Sequence, residues 1–142
     1  MNRDCIKFPL SKFLEDNKNS FKDIKLIDVE LYIDSKNSKE IIAFLKNEQH
    51  KKKLKDILYY ILQGKTSDGL YRKEGVSTKA KDITAMKFSG KLNPRIYCKE
   101  FFKKGKKIVM IVLLDNKNFQ KANNKSLKPK LESIGGYEYE LK

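Results

Sequence analysis

The sequence predicts an α+β domain: an N-terminal strand, two short helices, then an antiparallel meander of three to four strands with the helices packed on one sheet face. Three observations lead there. Ile27, Val29, Leu31 and Ile33 alternate with Asp28, Glu30 and Tyr32, the period of a half-buried strand. Ile41, Ile42, Phe44 and Leu45, then Leu54, Ile57, Leu58, Ile61 and Leu62, recur at helical spacing. The run KIVMIVLL at Lys107–Leu114 is almost unbroken apolar sequence, as a central strand covered on both faces requires.

Each element follows in order. Residues 1–22 read as an extension in which Phe8, Leu10, Phe13 and Leu14 form a short helix after Pro9, packed on the domain. A strand is expected from about Asp23 to Ile33. The polar turn Asp34–Ser38 leads into a helix, with Asn37 followed three residues later by Glu40. The wholly polar stretch Lys46–Lys53 leaves two readings open: two short helices, or one helix with a solvated middle. Gly64 offers a stop. Residues Lys65–Lys81, with Gly69 and Gly75 among charges, read as a loop. Strands are expected at Ile83–Phe88, Arg95–Phe102 and Lys107–Leu114, joined by turns at Ser89–Pro94 and Lys103–Gly105. A polar segment after Asp115 precedes a helical stretch ending at Gly135, and YEYEL at Tyr137–Leu141 alternates as an edge strand.

The chain has 142 residues, the size of one domain, with 39% hydrophobic residues to build a core. Charge is its strongest compositional feature. There are 32 Lys+Arg against 18 Asp+Glu, a formal net charge of +14. The excess is uneven: Lys87–Lys130 holds 13 basic and 2 acidic residues, whereas the first 86 hold 18 and 13. A lysine-rich background spreads charge evenly. Concentration in one third of the chain points to a polyanion, most simply nucleic acid. Two isolated cysteines, Cys5 and Cys98, and the lone His50 give no metal-ligand spacing, and no cofactor is expected. MNRDCIKFPLSKF lacks the apolar core of a signal peptide and no run of about 18 apolar residues occurs, so a cytoplasmic location with reduced thiols and no membrane contact is expected.

Within the basic third, strand alternation places Arg95, Tyr97, Lys99 and Phe101 on one face. Guanidinium, phenol and ammonium on a strand face suit a phosphate backbone and stacked bases. Lys117, Lys121, Lys125, Lys128 and Lys130, interleaved with Asn116, Asn118, Gln120, Asn123 and Asn124, read as a phosphate-contacting lip. Lys51–Lys53 reads as the wet side of a helix, and His50 lies in the most polar part of that region. GKTS at Gly64–Ser67 lacks the upstream glycine and the preceding strand of a phosphate-binding loop.

NPRIYCKEF, a basic-aromatic strand, and KIVMIVLLDNKNFQK, an apolar strand with a lysine-rich exit, together resemble the RelE/ParE superfamily of bacterial toxins over about residues 25–130. The resemblance implies a toxin of a toxin–antitoxin system acting as a metal-independent mRNA endonuclease, on the ribosome or on free RNA, held by an acidic antitoxin protein. Relative to the minimal family fold, residues 1–22 are an N-terminal extension and 131–142 a C-terminal addition. The resemblance also implies catalytic roles for Arg95 on the scissile phosphate and Lys121 beside it, with Lys87 and Lys117 as neighbouring RNA-binding positions. The family's base after the lysine-rich exit has no tyrosine or histidine here, which leaves Tyr97 or Lys99 for proton transfer. That gap motivates the alternative: a non-catalytic basic inhibitor, of phage or mobile-element origin, that binds nucleic acid or a nucleoprotein machine.

Overall fold

The computed structural model describes residues 2–88, 93–115 and 124–141, the side chains of 124–126 excepted. Asn2–Lys7 forms β1, followed by the short helices α1 (Leu10–Asp16) and α2 (Lys18–Phe21). Val29–Asp34 is β2, and Ser38–Leu45 and Glu48–Ile61 are α3 and α4. Tyr71–Lys73 (β3), Ile83–Lys87 (β4), Arg95–Lys103 (β5) and Lys106–Asp115 (β6) follow. Asn124–Gly135 (α5) and Glu138–Glu140 (β7) complete the described chain.

The strands make one seven-stranded mixed sheet in the order β3-β4-β5-β6-β2-β1-β7. The meander β3 to β6 is antiparallel, as expected. The sheet then continues through parallel β6–β2, antiparallel β2–β1 and parallel β1–β7 pairs, so the expected three to four antiparallel strands are only part of it. Residues 2–7, expected only as part of an extension, supply a strand between β2 and β7. The β2 strand begins at Val29, not near Asp23. Its partner β6 starts at Lys106, and Val29 opposite Lys107 is the first pair available. Upstream, the Ile27 N–H donates instead to the Leu62 carbonyl at 2.8 Å, running this segment along the end of α4.

Helices cover both faces, not one. On the first face Leu31, Ile33, Ile96, Cys98, Val109 and Ile111 pack against Ile41, Leu54, Ile57, Leu58 and Ile61 of α3 and α4. On the second, Tyr32, Ile83, Ala85, Tyr97, Met110 and Val112 lie with Leu131 and Ile134 of α5 and Tyr139 of β7. KIVMIVLL thus runs centrally with both faces buried, as its apolar sequence demands. A bulge in β6 opposite Tyr97 and Cys98 shifts its register by one residue.

Of the two helical readings, two helices form. The polar stretch becomes the first turns of α4, whose Asn47 side chain accepts hydrogen bonds from the N–H groups of Gln49 and His50 at 2.9 and 3.3 Å. The expected loop 65–81 contains β3 and a 3₁₀ turn, Thr78–Ala80, against which α5 docks. Gly135 permits that docking, since a Cβ there would lie 2.0 Å from the Lys79 carbonyl oxygen. Among the described residues no helix is long and apolar enough to cross a membrane.

Candidate nucleic-acid interface

Three basic side chains converge where the antiparallel half of the sheet ends. Lys87, the last residue of β4, stands opposite Arg95, the first of β5, and Arg95 stands opposite Asp115 of β6. On the next strand out, Arg72 of β3 pairs with Ala85. Alternation from Ala85 and Tyr97, both on the second face, puts Arg72, Lys87 and Arg95 on that face too. Lys87 and Arg95 are half-buried and Arg72 is exposed.

The electrostatics of the cluster are readable at Lys87. Its ammonium is held below the usual lysine range by burial first, and then by the guanidiniums of Arg72 and Arg95, which outweigh Glu74 and Asp68. The Lys87 Nζ donates to the Asp68 carbonyl at 2.5 Å, and the exposed Asp68 carboxylate lies 3.9 Å from Arg72. Three cations on adjoining strands, with a net positive field at the central one, can hold phosphate oxygens.

The strand face expected to be open to RNA is covered. Tyr97 is 2% exposed and sits in the second core with α5, where burial first, then Glu74 and Asp115, push its phenol up to about 12. Phenol at that depth neither stacks on a base nor takes a proton at neutral pH, so the expected role of Tyr97 in proton transfer is withdrawn. Lys99 pairs with Ile83 at the opposite end of β4 from Lys87. Its Nζ donates to the Tyr137 carbonyl at 2.5 Å, and burial lowers its pKa. Lys99 is therefore occupied in fastening the C-terminal segment and lies away from the cluster. Of the expected strand face, Arg95 alone belongs to the site. Phe101 packs at the margin of the second core.

Lys117 and Lys121 lie outside the described residues, as does the Lys125 side chain, whose backbone opens α5. Lys128 is exposed on α5. In sequence, residues 116–123, which carry Lys117 and Lys121, follow directly on Asp115, the residue opposite Arg95. His50 is structural: its ring stacks on Phe44 with centroids 3.7 Å apart, and its Nδ1 lies 2.8 Å from the Phe44 carbonyl oxygen. Among the described residues no group of three His, Cys, Asp or Glu side chains is placed to hold a metal ion.

Arg72 is the residue that sequence reasoning missed. It fell in an expected loop, and its only signal was rarity: the chain has three arginines, Arg3, Arg72 and Arg95, and two of them stand on the sheet face of Lys87, on the strands either side of it. No protein-family model, curated protein or solved structure matches this chain.

Proposed function

We propose that the protein binds single-stranded RNA through Arg72, Lys87 and Arg95, with the lysine-rich segment 116–123 continuing the contact. The observation that supports this most is the placement of two of the chain's three arginines beside Lys87, on one sheet face and on three adjoining strands. Each phosphate neutralised steepens the salt dependence of binding by about 0.7 on a log–log scale, so three contacts give a slope of about −2 before the segment adds its share. Fluorescence anisotropy with labelled single-stranded RNA at several salt concentrations tests it. The double variant Arg72→Gln/Arg95→Gln should flatten the slope by about 1.4, while Lys22→Gln/Lys25→Gln should leave it unchanged. A flat salt dependence, or equal losses from both variants, would refute the site.

A second reading, the RelE-like endonuclease, is favoured by Lys87, an RNA-binding position in the family resemblance, facing Arg95, the position at which that resemblance implies an arginine on the scissile phosphate. Cleavage without a metal needs a base for the 2′-hydroxyl, cations for the pentacoordinate phosphate and an acid for the leaving 5′-oxygen. With Tyr97 buried, the base on this reading is Lys87, whose lowered pKa makes the neutral amine more accessible than in a free lysine. Labelled RNA incubated with and without ribosomes separates the readings. Cleavage lost in Lys87→Met with the salt slope of RNA binding unchanged supports the enzyme, in which Lys87 acts as a neutral base; intact RNA bound by the wild type, with a slope that Lys87→Met flattens by about 0.7, supports the binder, blocking its target by occupancy.

A further inference from the structure

Away from the basic cluster, on the first face of the sheet, a groove of 610 Å³ opens between α1, the end of β1 and the pair α3–α4. Its floor is apolar: Phe8, Phe13, Ile33, Ile42, Leu45 and Leu54. Phe8 and Phe13 meet at a centroid distance of 5.9 Å and fix one wall. The volume falls in the range of about 300–1,000 Å³ usual for small-molecule sites.

The rim has one sign of available charge. Lys7, Lys46, Lys51, Lys52 and Lys55 line it, against Asp16 and Glu48. Both carboxylates are already engaged, Asp16 with Lys12 at 3.4 Å and Glu48 with Lys51 at 3.6 Å, and Lys7 reaches Glu30 at 3.5 Å. Lys46, Lys52 and Lys55 form no salt bridge among the described residues. Three uncompensated ammonium groups over an apolar trough complement a molecule with a single anionic head and a hydrocarbon body.

We infer that this groove binds a long-chain monocarboxylate, its tail along Phe8, Phe13, Ile42 and Leu54 and its carboxylate among Lys46, Lys52 and Lys55. The tail removes the floor from water, and the head takes charge-assisted hydrogen bonds at the rim. The site is separate from the Arg72–Lys87–Arg95 cluster and stands or falls independently of RNA binding.

The test uses dansyl-undecanoate as the fluorescent probe on the full chain, with displacement by decanoate, laurate and dodecanol below their aggregation concentrations. Saturable binding of one probe per chain is expected. Each added methylene should tighten displacement about fourfold, so laurate should outcompete decanoate by about fifteenfold. Lys52→Glu/Lys55→Glu changes only rim residues and should weaken laurate about tenfold or more while leaving dodecanol unchanged. Ile42→Trp, filling the groove with the chain's only tryptophan, should exclude laurate and dodecanol alike. Circular dichroism checks that both variants fold, and the rim variant decides the matter if the floor variant does not. Unsaturable uptake, equal displacement by decanoate and laurate, or an equal loss in Lys22→Glu/Lys25→Glu would overturn the assignment.

Discussion

Replacing Asp34 should expose how much of the sheet depends on one carboxylate. Asp34 is fully buried at the end of β2 and gathers four donors. Arg3 Nε of β1 donates to Oδ2 at 2.8 Å, the Tyr139 hydroxyl of β7 donates to the same oxygen at 2.6 Å, and the N–H groups of Lys36 and Asn37 reach Oδ1 at 2.8 and 3.3 Å. The carboxylate therefore joins β2 to β1 and β7 and to the turn before α3. Asp34→Asn keeps the shape and can still serve the turn, but the other amide position, once turned to Arg3 and Tyr139, carries N–H donors instead of an acceptor. Loss of the charged pair and one buried hydrogen bond sets the cost at about 2–3 kcal/mol. Asp34→Ala orphans every donor and should cost about 3–5 kcal/mol. With a urea m-value of about 1–3 kcal/mol/M, the Asn variant should lower the midpoint by about 0.7–3 M. The assay is urea unfolding followed by far-ultraviolet circular dichroism, extended to an Arg3→Met/Asp34→Asn cycle. A coupling of about 1–3 kcal/mol is expected between the two sites. A midpoint unchanged by Asp34→Asn, or zero coupling to Arg3, would refute the claim that this carboxylate holds β1 in the sheet.

Alkaline stability should report the burial of Tyr97. Its folded pKa of about 12 lies above the unfolded value near 10, so its contribution is complete below pH 10 and is lost as pH rises from 10 through 12. Tyr97→Phe should therefore lose about 1 kcal/mol less than the wild type between pH 8 and pH 11, measured by urea unfolding at each pH; parallel pH curves would place the phenol in water. Gly135→Ala should destabilise by about 1–3 kcal/mol, because the new methyl meets the Lys79 carbonyl and forces α5 off the 3₁₀ turn. Its melting temperature measures that effect, and no change would mean the contact is looser than the 2.0 Å approach indicates.

The sequence by itself determined the elements whose signals are local. The strands at Ile83, Arg95 and Lys107 show in alternation or unbroken apolar runs, and short turns force them antiparallel, as β4–β5–β6 are. The helix ending at Gly135 and the edge strand in YEYEL were legible in the same way. Strand alternation singled out Arg95, and the family resemblance implied Lys87, before any pairing was known. Only the tertiary structure decided what those elements meet. Residues 2–7 carry too little alternation to announce a strand, and β1 exists because Asp34 and Tyr139, distant in sequence, supply its partners. Alternation put Arg95, Tyr97 and Lys99 on one face correctly, but periodicity separates faces without saying what covers them. Tyrosine, with an apolar ring and a polar tip, suits either a wet face or a core, and α5 made it core. Arg72 joined Lys87 and Arg95 through β3–β4 pairing, a non-local event that no pattern inside residues 65–81 records.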